Sequence, residues 1–171
     1  NAVGDKKPQL VGFNSAKADL KILVQRATAN SVQAAKFAKR PNKPWEDYDY
    51  FDARNSEGHI DLIQILGGFG KSTPSLNEMA AVCGIPGKLG IMGQEVAHLW
   101  LEGRLLEIVA YNECDALTTY LIWLRMAFFG GFFNQVQYEE EQERVRNLLS
   151  TEGTLPAKEH LFEFLETWKM T

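Results

Sequence analysis

The feature that most narrows the fold is the run from Arg104 to Phe129, RLLEIVAYNECDALTTYLIWLRMAFF. It reads as one long helix that is apolar on more than one side, and a helix of that kind is buried at the centre of its domain. Near its middle, Asp115 lies among Ile108, Val109, Ala110, Ala116, Leu117, Tyr120, Leu121 and Ile122. A carboxylate in such company is desolvated at a cost unless it is paired or holds a cation. Tyr111 stands four residues earlier, on the same helical face. Alone, a tyrosine four residues before an aspartate also describes an ordinary polar edge.

Around this helix the chain reads as mostly helical, with two short strands. Gln9 to Asn14, QLVGFN, has the pattern of a buried strand that ends on a turn-forming asparagine. Ser15 is placed to cap a helix reaching about Ala29, and Val32 to Lys39 reads as a second helix. The segment RPNKPWEDYDYFDARNSEG reads as a long loop, and the opening GDKKP as irregular. His59 to Leu66, HIDLIQIL, suits a strand turning into a helix. His59 and Asp61 share a strand face and could be ligands, but with no third histidine-rich partner nearby they read as a satisfied structural pair. Ser75 with Glu78 forms a capping box for LNEMAAVC, which Gly84 ends. Further helices are read over Gln94 to Glu102, Asn134 to Leu149 and Ala157 to Met170.

Size and charge exclude some functions. At 171 residues and 45% hydrophobic content, the chain can form a domain with a real core. No stretch approaches the roughly 18–20 uncharged apolar residues needed to span a bilayer. The net charge of −4 supplies no global basic field, so any nucleic-acid contact must be local. Cys83 and Cys114 show neither CxxC nor zinc spacing and read as the reduced thiols of an intracellular, cytoplasmic protein. Residues 3–171 are expected to form one domain, with Asn1-Ala2 set aside as a cloning remnant.

In their order and spacing, GFNSAKAD (Gly12 to Asp19), HIDL, SLNEMAAVCGIPGKLG, YNECDALTTYLIWLR and HLFEFLETW resemble a family of predicted bacterial 3′–5′ exonucleases. That family is related to the proofreading domain of family-B DNA polymerases. GFNSAKAD is similar to the second motif of the DEDD exonucleases, in which an asparagine ends a strand and an aspartate follows five residues on. YNECD is similar to the Tyr-x-x-x-Asp third motif of the tyrosine subclass, DEDDy. The resemblance implies an α/β, RNase H-like fold and phosphodiester hydrolysis at a single-stranded 3′ end of DNA or RNA. It implies a two-metal site holding Mg2+ or Mn2+, with Asp19 and Asp115 as metal carboxylates. Tyr111 would hold the attacking water, and Asn14, Phe13 and Lys88 are the candidate substrate contacts.

The family's first motif, an Asp-x-Glu on the first strand, has no counterpart ahead of QLVGFN, where Asp5 is followed by Lys6-Lys7. Ala18 and Lys21 also stand where the family often has Phe and Pro. The chain is therefore expected to be an N-terminally truncated, helix-rich version of the fold, inactive or nearly so by itself. It is expected to self-associate through exposed strand edges. The alternative is a non-catalytic nucleic-acid-binding or interaction domain on the same scaffold.

Overall fold

The structure is a computed structural model, and it describes residues 2–43, 45–52, 56–67, 73–87, 90–91 and 93–168. It divides into two compact units, residues 1–74 and 75–171. Helices dominate, and the described strands form one small parallel sheet.

In the first unit, helix α1 (Ala2–Lys6) precedes strand β1 (Leu10–Gly12), helix α2 (Asp19–Ala29), strand β2 (His59–Asp61) and helix α3 (Leu62–Leu66). Strand β1 pairs parallel with β2, Leu10 opposite His59, Val11 opposite Ile60 and Gly12 opposite Asp61. The strand-into-helix reading of HIDLIQIL holds. Three other expectations need correction. The opening residues contain α1, where Gly4 is buried and an added Cβ would stand 2.5 Å from the backbone nitrogen of Phe37. Helix α2 starts at Asp19 with no side-chain cap, because the Ser15 hydroxyl is engaged by His59 instead. Residues 32–39 make a single turn, not a helix. So short a segment cannot repay helix nucleation alone, and Phe37 leaves it to stack on Tyr50 at 5.3 Å between ring centroids.

The second unit packs helices α4 (Leu76–Val82), α5 (Val96–Leu101), α6 (Leu105–Phe129), α7 (Gln135–Glu152) and α8 (Glu159–Thr167). Helix α6 touches each of the other four, as its apolar composition requires. Leu124 on α6, Leu149 on α7 and Phe164 on α8 are wholly buried. The Ser75–Glu78 capping box forms as read. Asn134 and Gln137 form a second one at the start of α7. Gly84 and Gly103 take φ of 62° and 75° just past α4 and α5, the left-handed conformation that lets a helix stop and the chain turn away.

Candidate functional site

In the first unit the site is built on the carboxyl ends of the two strands. Asn14 follows β1 with φ of 63°, a conformation asparagine tolerates better than most residues. The turn it begins is held by Asp61, at the end of β2. One Asp61 carboxylate oxygen accepts the Asn14 backbone N–H at 2.7 Å, and the other accepts that of Ala16 at 3.0 Å. His59 stands two residues before Asp61 and meets the Ser15 hydroxyl through Nε2 at 2.8 Å. Both side chains are 2% exposed. The reading of a satisfied pair needs correction: the two members clamp the 14–16 turn and do not bond each other, and the buried His59 Nδ1 has no hydrogen-bond partner among the described residues. Burial pushes the His59 imidazole below its ordinary value, against an opposing pull from the Asp61 carboxylate.

This clamp directs the chain from β1 into α2. Asp19 is the first residue of α2 and is exposed. Its position beyond a strand's carboxyl end is where open α/β sheets place ligands. Phe13 and Asn14 are half-buried beside it in sequence. Lys88 lies outside the described residues.

In the second unit, Tyr111 and Asp115 occupy consecutive turns of α6 and are both half-buried. An added Cβ at Gly93 would lie 3.3 Å from the Tyr111 hydroxyl, so the glycine leaves that phenol room. Tyr111 lines a small cavity of about 100 Å3 with Glu107, Cys114, His160 and Glu163. Asp115 is not part of that lining. Burial, with Asp115 and Glu113 adding negative charge, pushes the Cys114 thiol up to about 11, which leaves it unreactive at neutral pH. Next to it, Glu113 accepts from Lys158 and, at 2.7 Å, meets His160 Nε2. Burial raises the Glu113 carboxyl, but those two partners together outweigh it and leave the group below its ordinary range.

A match to a protein-family model covers residues 1–168. The matching family is described as predicted 3′–5′ exonuclease related to the exonuclease domain of PolB. The chain belongs to this family. No curated protein and no solved structure matches it. The family relation implies a nucleic-acid substrate and the divalent metals that exonucleases of this kind generally use. Asp19 and Asp115 are donors of the right type, since magnesium and manganese take hard oxygen ligands. Among the described residues, however, no group of three or more His, Cys, Asp or Glu could hold a metal ion. These residues do not form a metal centre by themselves. No helix among them is long and apolar enough to cross a membrane.

One signal escaped the reading of the sequence, which weighed only the total charge. Residues 1–74 carry 11 Lys and Arg against 8 Asp and Glu, whereas residues 75–171 carry 7 against 14. The net −4 is thus a basic unit and a strongly acidic one in a single chain. The run KFAKRPNK, Lys36 to Lys43, concentrates the positive charge and was legible from composition by segment.

Proposed function

We propose that this chain supplies the second and third motifs of a DEDDy 3′–5′ exonuclease with an RNase H-like fold, acting on single-stranded DNA or RNA ends. The observation that carries the reading is the family match over residues 1–168, with Tyr111 and Asp115 one turn apart on α6. In this reading Asp19 and Asp115 would supply carboxylate oxygens to Mg2+ or Mn2+, and the Tyr111 phenol would hold the attacking water. Asn14 and Phe13, at the exit from β1, contact the terminal nucleotide, with Lys88 as a further contact. The three motif-derived residues belong to one domain of residues 3–171, at home in the cytoplasm.

Two carboxylates are few for a cation that takes six or more oxygen ligands. The 171 residues alone are therefore expected to bind metal weakly and to cleave slowly or not at all. The two-stranded sheet leaves each strand with an unpaired edge among the described residues. Association of copies through such an edge is part of the proposal, and light scattering at high concentration checks it.

The test follows release of 3′-terminal nucleotides from labelled single-stranded DNA and RNA, with and without manganese. It uses this chain and a longer form that carries an Asp-x-Glu strand. The longer form should cut, its Asp115→Ala and Asp19→Ala variants should not, and manganese binding should weaken in both variants. Robust magnesium-dependent cleavage by the 171 residues alone would overturn the incomplete-site reading. An inert longer form that still binds single strands would favour the non-catalytic scaffold.

A further inference from the structure

The basic run in the first unit borders a cavity of about 280 Å3, lined by Lys7, Lys36, Lys39, Asp5, Asp47 and Tyr48 among others. Lys36 pairs with Asp5. Asp47 is shared by two cations, Lys7 at 2.8 Å and Lys39 at 3.2 Å. Hydrogen bonds from Lys7, the Tyr48 backbone and Lys39 hold the Asp47 carboxyl down at about 2, so it remains an anion across the working pH range. One carboxylate therefore orders two ammonium groups without matching their charge. The side chains of Lys7, Lys36 and Lys39 keep more than half their surface in solvent. Exposed ion pairs of this sort are weak and readily exchange a carboxylate for a phosphate.

Two residues before Asp47 in sequence stands an exposed aromatic side chain. Trp45 is 80% exposed, and the Lys43 ammonium, which also lies 3.9 Å from the Glu46 carboxylate, is 5.8 Å from its ring centroid. A tryptophan held at the surface beside a lysine offers a π-face for a base and leaves the cation for the backbone. That combination is how proteins hold single strands with little regard to sequence. A duplex, whose base faces are already stacked, cannot use the indole.

We propose that Lys7, Lys36, Lys39, Lys43 and Trp45 form a tracking groove for single-stranded nucleic acid, the lysines on phosphates and Trp45 stacked on a base. The groove rests on the nucleic-acid reading above and extends it to residues outside the motifs.

Fluorescence anisotropy with labelled oligo-dT and oligo-U, titrated against the 171-residue chain at several salt concentrations, tests this. Trp45→Ala should weaken binding roughly tenfold, within the range for loss of one stacked base. The double variant Lys39→Gln/Lys43→Gln should flatten the dependence of log K on log salt by about 1.4, two phosphate contacts' worth for a single strand. All three side chains are exposed, and circular dichroism confirms that the variants fold. If the unaltered chain binds and both variants bind equally well, the groove is wrong and the exonuclease reading is untouched. If the unaltered chain binds neither oligonucleotide, or prefers duplex, the groove falls. In the first of those cases the nucleic-acid reading falls with it.

Discussion

The two units of this chain are ordered by different forces. In residues 75–171, 14 apolar side chains are buried and Thr118 is the one buried polar residue among those described. Its hydroxyl donates to the Pro86 carbonyl at 2.8 Å. Among the described residues of 1–74, the buried apolar side chains are Leu20, Tyr50 and Leu62, outnumbered by Ser15, Asp49, Ser56, His59 and Asp61. The helical unit is held by apolar area, which is non-directional and tolerant of register. The sheet-bearing unit is held by short, directional bonds from buried acids and hydroxyls to turns. Asp49 shows this as clearly as Asp61 does: it accepts the Phe51 N–H at 2.9 Å and the Arg40 guanidinium at 2.8 Å. The Ser56 hydroxyl accepts the N–H groups of Asp49 and Gly58. Long loops without repetitive structure need such partners, because their backbone groups have none of their own.

This contrast can be broken by substitution. Truncation in the helical unit should have the largest effect. Phe164→Ala, at a wholly buried position on α8, is expected to cost about 3–5 kcal/mol, read as a lower midpoint in urea denaturation. A loss under 1 kcal/mol would mean that α8 is not anchored by that ring. Asp61→Ala comes next, at about 2–3 kcal/mol, because two part-buried backbone N–H groups lose a charged acceptor. Hydrogen exchange at Asn14 and Ala16 should accelerate in this variant while exchange in α6 stays slow. If both regions accelerate equally, the clamp is not local to the turn.

Acid should produce the smallest effect and sharpen the comparison. Burial lowers the folded-state His59 imidazole below its ordinary 6.5. The unfolded chain therefore takes up a proton at His59 before the folded one does. This contribution to stability is complete above pH 6.5 and is lost as pH falls through the lower folded value. Loosening should begin in residues 1–74 at mildly acidic pH. The Glu113 carboxyl, also lowered, keeps its contribution until pH falls below its ordinary 4.5. In a pH series of urea midpoints, His59→Gln should remove the early slope. A slope that persists in that variant would place the sensitivity elsewhere.

Wherever one local rule dominates, the sequence was sufficient. The span of α6 follows from its apolar run, α4 from its capping box, and the passage from β2 into α3 from the dense Ile and Leu of HIDLIQIL. The order of motifs pointed to the family before any fold was known, since motif spacing is a property of the chain itself. The failures are equally local. Ser15 has the composition of a helix cap, but its hydroxyl is used 44 residues away by His59. Residues 32–39 have a helical pattern, but Phe37 and the lysines find better partners in the 47–51 loop and α1.

The sequence by itself thus determined the helical framework and the family, because these depend on periodicity and on the order of motifs along the chain. Only the tertiary structure decided that Asp61 and His59 grip the turn leading to Asp19. It alone brought Lys7 beside Lys36 and Lys39, and left Trp45 in solvent. Those outcomes depend on which distant group reaches a buried donor or an exposed charge first, and no local pattern encodes that competition.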